Sequence, residues 1–360
     1  MLAFEIYIFI YLGIMFFSLV SFLWLAQEQV KNNDMEVCPS VSILIAARNE
    51  ETNIENCIKS IKALDYPLNK LHIYIGNDQS TDNTESVALA AIGEDTRFQL
   101  YTINENIGLA KGKANVLAQL AQKTTSEYIF ITDADICVNP RWIKTLLNTF
   151  DDKTHLVSGS TLINIGSWQD LDWRYFTMVL QAMANVGIGC TAVGNNMAIR
   201  RETYEKLGGY ENIPFSIVED HALFEKVKKN GYGWKNIYTI DSLNYTYEAE
   251  SLKKLLQQRK RWAKGGVAGF NWFWRGLFGI FGIFHLVIFA LLFLNPILAI
   301  GFFITKYILQ LVIHILLKYK LHLKLNYIYV LTYEFYSIFF NTLLSFAILI
   351  PGVEWKNRKY

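Results

Sequence analysis

The chain has 360 residues, a formal net charge of +2 and 52% hydrophobic residues, with Phe, Tyr and Trp reaching 15%. So even a charge balance excludes a strongly basic nucleic-acid binder, and four cysteines without a Cys-x-x-Cys pair indicate neither a zinc site nor a disulfide scaffold. The apolar excess lies at the two ends, which leaves room for one soluble domain of ordinary size and several membrane spans.

In chain order, Ile6–Ala26 is a run of 21 residues without a charge, long enough to cross a hydrocarbon core of about 30 Å. No basic stretch precedes it and no small-residue cleavage site follows it, so it reads as an uncleaved anchor. Val41–Ala46 is a first strand, and Arg48-Asn49-Glu50-Glu51 follows it. Ile54, Cys57, Ile58 and Ile61 fall at helical spacing and place an amphipathic helix over 51–63, which Tyr66-Pro67 ends. Leu71–Ile75 is a second strand running into a polar turn, Gly76 to Thr84, rich in helix-capping residues. A short helix carries Val87, Ala88 and Ala91. Phe98–Ile103 is a third strand, the stretch from Asn106 to Asn115 opens another helix, and Tyr128–Thr132 is a fourth strand. Pro140 sits where a helix should start. Strand–helix alternation of this kind gives an α/β fold with a mostly parallel sheet.

Further on, Gly194 to Arg201 leads into a helix ending near Gly208-Gly209, and another helix covers His221–Lys229. Ser251 to Trp262 places Leu252, Leu255 and Leu256 among many cations, the pattern of a helix lying on a membrane surface. Gly276–Thr305 carries no Asp, Glu, Lys or Arg. Leu277–Leu294, Ile297–Leu317 and Tyr327–Ile350 are two or three spans, with Asn295-Pro296 either a kink or a tight turn. Glu334 is the one charge in the last of them, and such a residue faces protein or water; Lys306 is the one partner visible in the sequence. These boundaries divide the chain into an anchor (1–31), a central α/β domain (32–250), an interfacial helix (251–276) and a C-terminal membrane region (277–360). With the central domain in the reducing cytoplasm, a Lys318–Lys324 loop would face inward as positive charge prefers.

Two turns carry chemistry. Asp133 and Asp135, one residue apart at the end of the fourth strand, can point the same way and suit a hard divalent cation that in turn holds phosphates. Asp78, just after the second strand, would lie on the same rim, where a carboxylate can accept the imide N–H of a uracil ring or bind ribose hydroxyls. Each turn alone also reads as plain helix capping or as an Asx-type turn, and for the Asp78 turn that is the simpler reading.

Together, the series Ala46-Ala-Arg-Asn-Glu-Glu51, Asn77-Asp-Gln-Ser-Thr-Asp82, Gly108 with Lys111-Gly-Lys-Ala-Asn115, Asp133-Ala-Asp135, Val218-Glu-Asp220 and Gln258-Arg-Lys-Arg-Trp262 resembles the membrane-embedded family 2 glycosyltransferases, over about residues 40–265. The likeness extends to ceramide glucosyltransferase-like and processive synthase-like members. It implies the GT-A fold, a cytoplasmic nucleotide-sugar site, a Mg2+ or Mn2+ ion and an inverting transfer. By the same resemblance Asp220 is the catalytic base, with Glu219 beside it in the Glu-Asp motif. Glu50, Asp78, Lys113, Asn115, Asp133, Asp135 and Arg261 serve the donor, Asp135 through the metal, although Lys113 equally reads as a solvated helix residue. Gln258 and Trp262 complete the Gln-x-x-Arg-Trp signature, with Trp262 beside the acceptor. The family's Asp-Asp-Gly-Ser is here Asn77-Asp78-Gln79-Ser80, so Gln79 stands where a turn glycine is usual. The terminal Trp355-Lys-Asn-Arg-Lys-Tyr360 resembles the ending of some lipid glycosyltransferases and favours a cytoplasmic tail.

The expected reaction is transfer from a UDP-sugar to a membrane lipid. A processive polysaccharide synthase of the same fold, an inactive scaffold and a nucleotidyltransferase are the competing readings. A polymer needs a channel, which synthases resembling this family frame with more helices than three or four spans. The retained set Asp78, Asp135, Asp220 and Arg261 argues against a scaffold, and the Gln258–Trp262 signature beside membrane spans argues against a nucleotidyltransferase.

Overall fold

A computed structural model of the chain describes residues 1–25 and 38–352, together with the backbone of 354–355 and 358–359. The expected tail motif and the end of the N-terminal anchor lie outside the described side chains. The chain divides into two compact units. The first comprises Met1–Gln27, Ile163–Cys190 and Glu248–Tyr360, and the second Glu28–Leu162 and Thr191–Tyr247.

The second unit is built on a seven-stranded sheet. Its strands are β1 (Val41–Ala47), β2 (Leu71–Asn77), β3 (Phe98–Thr102), β4 (Tyr128–Asp133), β5 (Thr154–Ser158), β7 (Met197–Arg200) and β8 (Gly233–Asn236), in the order β3-β2-β1-β4-β7-β5-β8. Two short parallel strands, β6 (Ser160–Leu162) and β9 (Leu243–Tyr245), pair separately. Strands β3, β2, β1 and β4 are mutually parallel, and β7 runs antiparallel to both β4 and β5. The parallel part follows from its sequence: β1 is almost wholly buried, as continuous apolar strands covered on both faces must be. Helices α2 (Ile54–Lys62), α3 (Thr84–Ile92) and α5 (Trp142–Leu147) help bury one face, where Ile43, Ile45, Ile54, Ile58, Ile73 and Trp142 form the core. Helices α4 (Lys113–Ala121), α7 (Arg201–Lys206) and α8 (Glu219–Lys229) help bury the other, around Leu44, Val116, Leu117, Ile131, Ile199 and Phe224. Strand order reverses between β1 and β4. That switch point leaves a crevice at the carboxyl ends of the two strands, where ligands of open α/β sheets bind.

The first unit is helical. It contains α1 (Leu2–Val20), α6 (Trp168–Ala184), α9 (Leu252–Gly269), α10 (Trp272–Gly282), α11 (Phe284–Leu294), α12 (Pro296–Leu321) and α13 (Tyr327–Leu349). Among the described residues two helical stretches are long and apolar enough to cross a membrane, Leu2–Trp24 and Pro296–Leu321. The charge-free run expected as one span over 277–294 instead forms α10 and α11, bent by 49° and able to make a third as a broken span or a re-entrant loop. Asn295-Pro296 is a break: Asn295 caps α12 by accepting from the Leu298 N–H at 3.1 Å, and Pro296 opens it. The bundle is fastened by aromatic packing. Tyr11 is buried against Phe281, Phe284 and Phe302 at 5.1, 5.3 and 5.7 Å between ring centroids, and the neighbouring Tyr7 hydroxyl donates to the Ile280 carbonyl at 2.6 Å.

Residues 163–190 join this helical unit although they interrupt the α/β domain in sequence. Helix α6 looks soluble because it carries Asp170 and Arg174. Yet both are fully buried and paired at 2.6 Å one helical turn apart, and Asp170 also accepts the N–H groups of Ile165 and Gly166.

Candidate active site

The rim of the parallel strands carries the sequence-predicted donor residues. Ala46 of β1 pairs with Asp133 of β4, and Ala47 pairs with Asn77 of β2, so Asp78 and Asp133 leave the sheet on the same edge. Asp78 is buried. Its N–H donates to the Ala47 carbonyl at 2.8 Å, and its own carbonyl accepts from the Arg48 guanidinium at 2.5 Å. Glu50 is buried beside it, accepting from Asn53 Nδ2 at 2.8 Å while its backbone N–H donates to Thr84 Oγ1 at 2.7 Å. The loops after β1 and β2 are thus laced together. Asn49 Oδ1 accepts the Thr81 N–H at 2.9 Å, and the Glu51 N–H donates to Asp82 at 3.2 Å.

Gln79 takes a φ of +53°, the left-handed conformation that a glycine would adopt at no steric penalty. The turn geometry survives the substitution, at an expense of about 1–2 kcal/mol for an L-residue. Gln79→Gly is therefore expected to keep the fold and match or exceed the wild-type thermal midpoint, the lost Gln79 to Asn104 hydrogen bond offsetting part of the gain. A clear drop in midpoint on thermal unfolding would contradict this.

Beyond β4 the burial pattern turns Ala134 inward and leaves Asp133 and Asp135 half-exposed on the same side. Opposite them, α4 begins at Lys113, after Gly112 at a φ of +57°. The loop that feeds it is docked through Gly108, also left-handed, where a Cβ would lie 2.3 Å from the Glu211 carbonyl oxygen. Lys113 Nζ reaches Asp133 Oδ1 at 2.6 Å and Glu219 Oε1 at 2.9 Å with only 15% of its side chain exposed. It is a bridge between two site loops rather than a solvated helix residue. Burial works against its ammonium, but Asp133 and Glu219 outweigh that and hold it charged, above the ordinary lysine value. Asn115 is committed to the feeding loop instead: its Oδ1 accepts the Ile107 N–H and its Nδ2 donates to the Glu105 carbonyl, both at 2.8 Å.

Glu219 and Asp220 form the first turn of α8. Asp220 Oδ2 accepts the Gly194 N–H at 2.9 Å and Oδ1 accepts the His221 N–H at 2.7 Å. Burial, and after it the neighbouring Glu219 charge, push its carboxyl up to about 6, against the opposing pull of Lys113 and the two N–H groups. The carboxylate is therefore a far better proton acceptor at neutral pH than an ordinary aspartate. No feature of the sequence links Gly194 to Asp220, 26 residues away. The segment 193–196 is pinned by the Val193 N–H on Ser158 Oγ at 2.7 Å, by Thr132 on the Asn195 carbonyl at 3.0 Å and by Asn196, which accepts from Trp142 at 2.8 Å. A Cβ at Gly194 would fall 2.6 Å from both Cβ and Oδ2 of Asp220. Gly194→Ala is expected to displace the carboxylate and slow transfer about ten- to a hundredfold while UDP affinity holds. A wild-type rate in a steady-state assay would contradict the contact's role.

Among the described residues no group of three or more His, Cys, Asp or Glu is placed to hold a metal by itself. Asp133 is engaged by Lys113, so a divalent ion at Asp135 would complete its shell with phosphate oxygens, as Mg2+ and Mn2+ do at nucleotide sites.

Gln258, Arg261 and Trp262 lie on α9 of the helical unit. Trp262 does not present an open indole. One of its faces stacks on Trp173 of α6 at 4.8 Å with 26° between the planes.

Comparison with known proteins agrees with this fold. The model for glycosyl transferase family 2 matches residues 42–208, and that for glycosyl transferase family group 2 matches residues 128–349, more than half of the chain. A probable glycosyltransferase, YdaM, of Bacillus subtilis is 30% identical over 242 residues, 64% of this chain and 56% of the relative. The β-monoglucosyldiacylglycerol synthase of Synechocystis is 25% identical over 66% of this chain and 50% of its own length. The poly-β-1,6-N-acetyl-D-glucosamine synthase of Staphylococcus aureus is 27% identical over 63% and 54% respectively. The chain thus spans about half the length of the curated relatives it matches. Among solved structures, the mannosyltransferase PcManGT of Pyrobaculum calidifontis, in complex with GDP-Man and Mn2+, shares the fold at a TM-score of 0.56 and 18% identity, covering 96% of this chain and 99% of that one. By its sheet, its ordered motifs and these matches, the chain belongs to the family 2 glycosyltransferases.

Proposed function

We propose that the chain moves a sugar from a nucleoside-diphosphate sugar, a UDP-sugar in the first instance, to a membrane lipid with inversion at the anomeric carbon. The observation that carries the reading is Lys113 spanning Asp133 and Glu219, with the raised Asp220 next in the chain. Donor-side and acceptor-side carboxylates thereby share one cation. Asp78 on the rim accepts the uracil imide N–H, and Glu50 borders the base and ribose. Asp133 faces the ribose or diphosphate, and Lys113 brings a positive charge to that side. Asp135 would hold the Mg2+ or Mn2+ ion, which when bound neutralises the leaving diphosphate. Arg261 forks onto phosphate oxygens, Gln258 lies on the same face of α9, and Trp262 borders the acceptor. Asp220 removes the acceptor hydroxyl's proton as that oxygen attacks the face opposite the diphosphate. One base and no covalent intermediate suffice. Nucleotide sugars are cytoplasmic, so the α/β unit faces the cytoplasm.

A lipid acceptor is supported by the helical unit with its spans and by the likeness to a glucosyldiacylglycerol synthase. The likeness to a poly-N-acetylglucosamine synthase favours a polymer as the second reading. The test uses membranes containing the protein and each labelled nucleotide sugar in turn, with and without chelator. Label extracted into organic solvent and lost in chelator supports the lipid and metal readings. Label in a high-mass polymer overturns the first, and full labelling in chelator overturns the second.

A further inference from the structure

The signature on α9 names Gln258, Arg261 and Trp262 and leaves the two positions between them open. One of these, Arg259, is held by both charge and ring contacts. Its Nη2 lies 2.9 Å from Asp172 Oδ2 on α6, with 12% of the arginine side chain exposed. Its guanidinium carbon sits 4.7 Å from the centroid of the Trp262 ring and 5.1 Å from that of Trp173, the two indoles that stack on each other. The second oxygen of Asp172 accepts from the buried Tyr333 hydroxyl of α13 at 3.2 Å. Three helices of one unit thus meet in a closed set. Asp172 anchors Arg259, Arg259 lies against both indoles, and Trp173 covers one face of Trp262.

We propose that Asp172 and Arg259 are positioning residues for sugar transfer, a clamp that fixes the plane of Trp262 for the acceptor. The inference rests on the reading above in which Trp262 borders the acceptor. The guanidinium is suited to the place. It is planar, permanently charged and able to fork onto Asp172 while lying against aromatic rings, which a lysine ammonium cannot do. The guanidinium side of the pair is largely buried while the Asp172 side chain is 32% exposed, so its attraction is partly screened. Without the charge on Asp172, the cation loses its ion pair and the indole of Trp262 is held chiefly by its stack on Trp173. The donor residues Asp78, Asp133 and Asp135 belong to the other unit.

The full-length protein in native membranes tests this with Asp172→Asn, Arg259→Lys and the double variant. Transfer is scored to whichever acceptor wild-type membranes label, alongside UDP affinity, slow donor hydrolysis to water, thermal midpoint and near-UV circular dichroism of the stacked indoles. The expected result is a fall of about ten- to a hundredfold in kcat/KM for the acceptor. UDP affinity and donor hydrolysis should stay within about twofold, the indole signal should weaken, and the double variant should be no worse than the poorer single one, since the pair acts as a unit. Wild-type kcat/KM in Asp172→Asn, additive losses, or a loss that merely follows a lowered thermal midpoint would each overturn the clamp. A polymeric product would overturn the lipid reading and leave this comparison standing.

Discussion

Replacing Asp220 by Asn is expected to lower sugar transfer by about 10²–10⁴-fold while UDP still binds. Asn has nearly the same shape and still offers an oxygen to one of the two backbone N–H groups that Asp220 accepts from. What it lacks is the ability to take a proton. The fold should tolerate the change, because removing this charge also relieves the repulsion from Glu219 that helps raise Asp220. The pH dependence supplies a second readout. The base works deprotonated and its carboxyl lies at about 6, so wild-type transfer should be suppressed below that pH, rise through it and level off above it. The residual activity of Asp220→Asn should lack this acid limb. Measuring kcat/KM from pH 5 to 8 and titrating UDP on both proteins decides the matter. Parallel loss of UDP binding and transfer would remove Asp220 from the role of base.

Lys113→Met should have the next largest effect, and of a different kind. The side chain lies within 2.9 Å of two carboxylates, Glu219 mostly buried and Asp133 partly exposed, and its loss leaves both without their shared cation. Breaking a buried pair in this way destabilises by roughly 3–5 kcal/mol; partial exposure of Asp133 makes that an upper bound here. Lys113 also holds Asp220 down against burial and Glu219. In the variant the acid limb of the pH profile should therefore move to higher pH, and UDP affinity should fall with the loss of positive charge near the diphosphate. A variant with the wild-type limb and undiminished UDP affinity would show that Lys113 only ties loops together.

The parallel half of the sheet was legible because its chemistry is local. A run such as Val-Ser-Ile-Leu-Ile-Ala has few alternatives to a buried strand, and the expected 41–46 is observed as 41–47. The rim residues followed, since parallel strands deliver their ends to one edge. Other parts depend on contacts that no window of sequence contains. Helix α6 conceals its burial because Asp170 and Arg174 neutralise each other within one turn, so composition reads polar where the environment is not. The Gly194 N–H reaches Asp220 across 26 residues. The resemblance gave Asn115 to the donor, while its amide is spent on the 105–107 loop. The resemblance also placed Trp262 beside the acceptor, but it could not show the indole already stacked on Trp173.

Glu334 does find Lys306: the two side chains are bonded to each other and both are almost completely buried between α13 and α12. The partners are 28 positions apart on consecutive helices, so neither helix can satisfy its own buried charge. Without α13, α12 would carry an unmatched buried cation in an otherwise apolar stretch, and breaking a buried pair in this way destabilises by roughly 3–5 kcal/mol. Arrival of α13 cancels it. A chain cut short between residues 321 and 334 would keep its lysine bare. The pair makes the last helix a condition for closing the helical bundle around its buried lysine–glutamate contact between α12 and α13.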